Sequence, residues 1–201
     1  MKKQIEKWKQ KSLFSKITDG LFILFIVAML IPASRTRVLT YVNRVKSKII
    51  QPRVKDEIKV SLSAAEYDWQ LADIDGNVVN MSEFKDKVIF INFWATWCGP
   101  CIGEMPEIQK FYDKFKNNND VVFIIASTDD LATMKDFMSK KDYTFPVYSI
   151  QSEVPAKLEH KSIPNSFLID KNGGVAVHTV GAANWGGSKI ERTVNELINN
   201  K

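Results

Sequence analysis

Cysteine is scarce in this chain of 201 residues, which holds only Cys98 and Cys101, separated by two residues. No further cysteine is available for a disulfide scaffold or for a zinc site built from four cysteines. Attachment of a c-type haem needs a histidine directly after the second cysteine, and Ile102 stands there instead. The two cysteines must therefore serve each other, and we predict no bound cofactor and no metal.

Residues 60–201 have no excess of positive charge, with fourteen Lys and Arg against nineteen Asp and Glu. Residues 1–59 carry fourteen basic residues against four acidic ones, so the net charge of +5 comes from the N-terminal segment. Because binding to phosphates needs a basic face, this distribution argues against nucleic acid as a partner of the C-terminal part. Basic flanks of a membrane segment explain the asymmetry better.

One long apolar run follows a polar stretch with six lysines at residues 1–16. Leu21–Ala33 is continuously apolar, and an extension back to Ile17 gives seventeen residues that include Asp19. A helix of this length would span about 25 Å, the short end of what a bilayer needs. We predict a basic tail over 1–16 and a transmembrane anchor over 17–33. A cleaved signal peptide is the alternative, although Ile31-Pro32-Ala33 fits a cleavage site poorly.

Residues 34–66 are expected to connect this anchor to the rest of the chain. Basic residues surround five apolar residues at helical spacing: Val38, Tyr41, Val42, Val45 and Ile49. Such an amphipathic stretch lies on a membrane surface, or it forms a continuing stalk helix or a coiled contact with a partner. Gln51-Pro52-Arg53 ends it, and the polar residues Val54–Glu66 are predicted to be a linker.

From Tyr67 onwards the pattern is that of an α/β domain over residues 67–201. Short apolar runs predict strands at Val88–Phe93, Val121–Ser127, Phe145–Tyr148, Asn165–Asp170 and Val175–Val180. Helical periodicity predicts helices at Cys98–Lys116, Leu131–Lys141 and Ser188–Asn199. The Asn172-Gly173 pair between the last two strands indicates a hairpin. The order predicts a central mixed sheet flanked by helices, with a parallel half followed by an antiparallel half. Three residues are candidates for its core: Met81, Phe84 and Phe111.

The two cysteines lie where a predicted strand runs directly into a predicted helix. Thiols at positions i and i+3 of a first helical turn are close enough to form a disulfide. The unpaired N–H groups and the positive end of the helix dipole favour the thiolate form of the first cysteine. Gly99-Pro100 suits this geometry, since proline is tolerated in the first turn. The pattern indicates a redox-active dithiol.

The segment Phe93–Cys101, FWATWCGPC, resembles the active-site segment of the thioredoxin superfamily. With Glu104-Met105-Pro106 following, it resembles the membrane-anchored TlpA/ResA-like thiol–disulfide oxidoreductases. Ile163-Pro164 before the strand Asn165–Asp170 is similar to the cis-proline loop of that family. The resemblance covers about residues 67–201 and implies a thioredoxin fold with an N-terminal transmembrane helix.

The resemblance also implies roles for individual residues. Cys98 would attack a substrate disulfide, and Cys101 would resolve the mixed disulfide. Pro164 would form a cis bond facing the dithiol, leaving the backbone of Ile163 free to pair with a substrate. Trp97, Gly99 and Pro100 would complete the substrate-binding surface. Trp94 and Trp97 are both expected to pack around the dithiol and shield it.

Glu104 is a candidate acid–base residue, because it lies one helical turn beyond Cys101. Cytosolic thioredoxins carry a buried aspartate at the position of Asn92, and asparagine cannot transfer a proton. TlpA/ResA-like proteins lack that aspartate too, which leaves Glu104 as the base; the alternative is a solvated surface carboxylate. His160 and His178 are far from the motif in sequence and are expected at the surface or at a sheet edge.

These observations predict a membrane-tethered protein-disulfide reductase. Its partners would be disulfide-containing exported proteins, a membrane or envelope thiol electron donor, and membrane lipid through the anchor. By resemblance, apocytochrome c before haem attachment is a frequent client. Its catalytic domain would lie on the non-cytoplasmic face of the membrane, held by a single-pass anchor. Six basic residues flank the apolar run on each side, so charge does not predict the orientation, and the non-cytoplasmic placement follows from the resemblance. The alternatives are an oxidant or isomerase, a non-catalytic adaptor and a peroxidase of the same fold.

Overall fold

A computed structural model of the chain describes residues 12–30, 32–54 and 60–200. It divides the chain into two compact units, residues 1–39 and residues 40–201. The first unit contains helix α1, Leu13–Leu30, and the beginning of helix α2, Pro32–Ile49. Among the residues that the structure describes, no helix combines the length and the apolar character needed to cross a membrane. The anchor over residues 17–33 therefore stays a prediction.

The second unit is built on one seven-stranded sheet of mixed direction. Its strands in chain order are β1 Gln70–Asp73, β2 Val78–Asn80, β3 Val88–Trp94, β4 Val121–Ser127, β5 Val147–Ile150, β6 Asn165–Ile169 and β7 Val175–Val180. They lie side by side in the order β2-β1-β5-β4-β3-β6-β7. Strands β3, β4 and β5 pair in parallel, and the other pairs are antiparallel. This is the predicted mixed sheet of a thioredoxin fold.

In the described part of this unit, three α-helices accompany the end of α2: α3 Gly99–Phe115, α4 Leu131–Ser139 and α5 Ser188–Asn199. Every residue of β3 is buried, and its side chains alternate between two apolar clusters. Val88, Phe90 and Trp94 pack with residues of the three helices, whereas Ile89, Ile91 and Phe93 pack with Trp69 and Leu158. The strand that leads to the cysteines is thus fixed from both sides.

The structure differs from the predicted elements at several points. A hairpin of β1 and β2 precedes the predicted strands, with Gly76 at φ +90° in its turn. The strand predicted at Phe145–Tyr148 begins instead at Val147, because Pro146 has no N–H to donate to a ladder. The helix predicted to end at Lys141 ends at Ser139.

Part of the predicted linker, residues 60–66, instead packs against the sheet. Leu62 is buried, and its N–H donates to Gly173 O at 2.9 Å. Val175 N–H donates to Val60 O at 2.8 Å, and a bridge joins Val54 to Val177. Because β7 is an edge strand, these bonds satisfy backbone groups that would otherwise be open to pairing with another chain.

Candidate active site

The two cysteines lie at the start of α3, directly after the carboxyl end of β3. Cys98 is the N-cap residue, and its Sγ accepts a hydrogen bond from Cys101 N–H at 3.2 Å. A disulfide joins the two side chains, with the Cα atoms 5.3 Å apart. Both cysteines are buried, Cys98 with 5% of its surface exposed. On reduction, Cys98 stands where the helix dipole and free N–H groups favour a thiolate.

Asp129 fixes the loop between β3 and the dithiol. Its carboxylate accepts a hydrogen bond from Thr96 N–H at 2.7 Å, and its own N–H donates to Ser127 Oγ at 3.0 Å. Asp129 is not among the site residues predicted from the sequence. A signal was present, because Asp129 follows β4, which runs parallel to β3 and pairs Ser127 with Trp94. Loops that follow adjacent parallel strands meet at one edge of the sheet.

Glu104 is fully buried one turn beyond Cys101, which contradicts the alternative of a solvated surface acid. Its Oε1 accepts a hydrogen bond from Asn92 Nδ2 at 2.9 Å, and its Oε2 accepts one from Ala183 N–H at 3.1 Å. Asn92 also donates to Ser166 Oγ at 2.8 Å. Asn92 and Glu104 are thus direct hydrogen-bond partners. From the sequence they were related only because Glu104 could supply the base that asparagine at position 92 cannot.

Burial raises the pKa of Glu104 to about 8, because no cation offsets the loss of water around the carboxylate. The donors of Asn92 and Ala183 lower this pKa in part. The nearby indole of Trp185 acts in the same direction, although its N–H lies outside hydrogen-bonding geometry. Glu104 is therefore mainly protonated at neutral pH, with a pKa close to that of an ordinary thiol, about 8.5.

The two tryptophans around the motif have opposite environments. Trp94 is 2% exposed and packs in the same cluster as Cys98 and Cys101. Trp97 is 73% exposed, so the prediction that both residues shield the dithiol is wrong for Trp97. The loop bond from Thr96 to Asp129 fixes the backbone just before Trp97 while leaving its side chain in solvent. An exposed indole beside a reactive cysteine offers a large apolar surface to a substrate.

The Ile163–Pro164 peptide bond is cis, in agreement with the resemblance. Asn165 pairs with Phe93 across β6 and β3, which puts Pro164 opposite the end of β3 that leads to the dithiol. Pro164 is buried, and its carbonyl accepts a hydrogen bond from Gly181 N–H at 2.8 Å. Ile163, Gly99 and Pro100 are partly exposed. The residues predicted to contact a substrate therefore occur at and just before the start of α3 and in the loop before β6, at one end of the sheet.

Of the two histidines, His178 lies beside the cis-proline loop, with its Nε2 2.9 Å from Oδ1 of Asn165. His178 is exposed on edge strand β7, and its ring stacks on Phe167 with centroids 4.4 Å apart. His160 is half-buried, and its ring lies 4.0 Å from that of Phe93, on the side of β3 away from Glu104. Within the described ranges, no three His, Cys, Asp or Glu side chains are arranged to hold a metal ion.

A mixed sheet, a dithiol capping a helix and a cis-proline at the neighbouring strand define a thiol–disulfide oxidoreductase of the thioredoxin superfamily, TlpA/ResA-like in type. Residues 52–197 match the Redoxin family model, and the chain belongs to this family. Thiol-disulfide oxidoreductase ResA of Oceanobacillus iheyensis is 30% identical over 154 residues, covering 74% of this chain and 79% of the relative. ResA of Bacillus thuringiensis subsp. konkukian is 34% identical over 121 residues, covering 59% and 69%.

Solved structures show the same similarity. A protein from Bacteroides thetaiotaomicron, assigned as a protein disulfide isomerase, superposes with a TM-score of 0.61 and is 26% identical, covering 75% of this chain and 96% of its own. A protein from Chlorobium tepidum, assigned as the thiol:disulfide interchange protein DsbE, has a TM-score of 0.57 and is 27% identical, covering 66% and 94%. These similarities support dithiol–disulfide exchange as the activity.

Proposed function

We propose that this protein is a membrane-tethered reductase for disulfides of exported proteins, with apocytochrome c before haem attachment among its clients. The single observation that carries the exchange chemistry is the buried, protonatable Glu104 one turn beyond Cys101. The reductive direction is supported by Gly99-Pro100 between the cysteines, which resembles the reducing members of the superfamily. A carboxyl with a pKa near that of a thiol can take the Cys101 proton at little cost in free energy.

The exchange would proceed in two steps. The Cys98 thiolate attacks one sulfur of the substrate disulfide, forming a mixed disulfide and releasing the other substrate sulfur, which takes up a proton. Cys101 then passes its proton to Glu104 in its ionised form, which is the minor form at neutral pH because the pKa is about 8, and attacks Cys98 Sγ. This forms the Cys98–Cys101 disulfide and releases the second substrate sulfur as a thiolate, which takes up a proton. The substrate gains two electrons, the protein loses two, and a dithiol donor in the membrane or envelope restores the reduced form.

Substrate selection would occur on the exposed side of the dithiol. Trp97 would offer an apolar contact there, and the backbone of Ile163, next to cis-Pro164, would pair with an extended substrate segment. Gly99 and Pro100 are partly exposed beside Cys98 and add no bulky side chain to this surface. Such a surface suits protein disulfides.

The tether and the location belong to the same proposal. The apolar run Leu21–Ala33 and its basic flanks support a single-pass anchor that also binds lipid, with the catalytic unit on the non-cytoplasmic face. A phosphatase reporter active only outside the cytoplasm, fused after Lys201, tests this location. We expect an active reporter in the membrane fraction. A silent reporter would reverse the orientation, and an active but freely released one would indicate cleavage.

The direction of exchange is tested by the equilibrium redox potential of the full chain in detergent, measured against glutathione. We expect a value near that of thioredoxin, about −270 mV, since a reductant must be poised below its clients. A value near about −120 mV would identify an oxidant instead. The full chain is needed because residues 40–54 belong to the same compact unit as the dithiol.

A further inference from the structure

The end of helix α2 packs directly against the helix that carries the dithiol. We call residues 40–51 the docking segment. A Cβ atom at Gly103 would lie 3.0 Å from Asn43 Cβ and 3.1 Å from Arg44 N, so the two helices meet backbone to backbone. Ser47 is fully buried in this contact, with its Oγ 3.3 Å from Gly103 O. The docking segment therefore touches α3 at the residue before Glu104.

The docking segment also binds the loop after β7. Asn184 Nδ2 donates to Lys48 O at 2.6 Å, and Asn184 N–H donates to Ile50 O at 2.7 Å. Carbonyls at the end of a helix have no partner inside the helix, so these two bonds satisfy groups that α2 leaves open. Asn184 Oδ1 is buried without a partner, which indicates that the amide is used at this position as a donor.

The residue next to Asn184 binds the active-site carboxyl. Ala183 N–H donates to Glu104 Oε2, while Asn184 N–H, one peptide further on, donates to the docking segment. Two successive backbone N–H groups thus donate to two different elements, one to Glu104 on α3 and the other to the docking segment. The position of the Ala183 donor is consequently set by how firmly Asn184 is held.

We propose that the docking segment positions Glu104 for proton transfer by holding Asn184, which makes Asn184 a positioning residue of the active site. The docking segment, predicted from the sequence as part of a membrane-surface or stalk helix, would then contribute to catalysis by positioning Glu104. This inference rests on the proposed role of Glu104 as the proton acceptor of Cys101.

The groups bonded to Glu104 are neutral, so its titration reports on their geometry. Charged or titratable side chains on the surrounding elements are the two cysteines when reduced, Glu107 with its partner Lys110 on α3, Arg44, Lys46 and Lys48 on the docking segment, and His178 on β7. None of them contributes to the pKa shift of Glu104 in the oxidised protein. Loss of the Ala183 donor would raise that pKa further, since this bond stabilises the carboxylate.

The test uses the full chain in detergent and measures the single-turnover rate of mixed-disulfide resolution, with a synthetic peptide disulfide, across pH. Asn184→Ala and Ser47→Leu are each expected to slow resolution at pH 7 by about three- to tenfold and to move the pH midpoint upward. Ser47→Leu keeps Asn184 but forces the segment off α3. The matched controls, Asn195→Ala and Val45→Leu, alter exposed positions and should leave rate and midpoint unchanged.

Combination with Glu104→Gln separates this inference from the proposed function. Added to Glu104→Gln, Asn184→Ala should cause no further slowing, because its effect passes through the carboxyl. If Glu104→Gln alone leaves resolution unchanged, the proposed role of Glu104 fails. If Glu104→Gln slows resolution but folded Asn184→Ala or Ser47→Leu keeps the wild-type midpoint, the positioning role is overturned. Equal slowing by Asn184→Ala in both backgrounds would also overturn it.

Discussion

The inner and outer sides of the dithiol differ in almost every physical respect. On the inner side Asn92, Glu104 and Ser166 are buried and joined by hydrogen bonds. On the outer side Trp97 is exposed, and Gly99 and Pro100 are partly exposed. A group that must keep an unusual pKa needs a dry, rigid environment, whereas a surface that accepts many substrates needs exposure. The difference teaches that proton transfer and recognition are divided between the two sides.

The largest effect is expected from the sulfurs that join the two sides. Cys101→Ser should lower multiple-turnover reduction on the order of a thousandfold, because the mixed disulfide can no longer be resolved. Mass spectrometry should then find a covalent adduct of the client on Cys98. Cys98→Ser is the control and should give no adduct; an adduct on Cys101 in that variant would reverse the assigned roles.

Glu104→Gln tests the inner side of the dithiol through the pH dependence of the free energy of unfolding. In the oxidised wild type, the unfolded chain releases the Glu104 proton near pH 4.5, whereas the folded chain keeps it until about pH 8. The unfolded state binds fewer protons in this window, so the free energy of unfolding falls as pH rises, by about 3 to 5 kcal/mol in all. Denaturant titrations between pH 5 and 8 should show this slope in the wild type and lose it in Glu104→Gln. An unchanged slope in the variant would assign the pH dependence to other groups.

Asn92→Asp would break the inner side by replacing the amide donor with a second carboxyl. Two buried acids in contact cannot both ionise without a large cost, so we expect a loss of about 3 kcal/mol of stability above pH 8. Chemical denaturation at pH 6 and pH 9 measures the effect, which should be smaller at pH 6. Asn195→Asp, at an exposed position of α5, should change stability by less than about 0.5 kcal/mol. If Asn92→Asp loses no more stability than Asn195→Asp, the inner pocket tolerates a second carboxylate.

Trp97→Ala should have the smallest effect and should act only on the outer side. We expect KM for a protein disulfide to rise about fivefold, with kcat and the free energy of unfolding nearly unchanged. Steady-state kinetics and denaturant unfolding separate these quantities. A lower thermal midpoint or an altered pH profile would mean that Trp97 also supports the inner pocket.

Much of the fold and the site could be predicted because their signals are local in sequence. The strand–Cys98-Gly99-Pro100-Cys101–helix order and the bounds of Val121–Ser127 and Val175–Val180 rest on short patterns of apolar residues and caps. The hairpin of β1 and β2 was not predicted, although it also has a local signal, Asp75-Gly76 between short apolar runs.

The missed features depend on contacts between distant residues. Asp129 binds Thr96 across 33 positions, and Asn184 reaches Lys48 across 136. No pattern within one element indicates such a bond, because the partners are brought together by the order of strands in the sheet. The exposure of Trp97 is of the same kind, since it depends on how the preceding loop is tied to Asp129.

By itself the sequence determined that this protein carries a redox dithiol on a thioredoxin fold, because the spacing of two cysteines at a helix start needs no distant partner to be recognised. Only the tertiary structure decided that Glu104 is buried against Asn92 and Ala183, and so kept protonated at neutral pH. Burial is a property of everything packed around a residue. For the same reason, only the fold could join residues 40–51 to the active site.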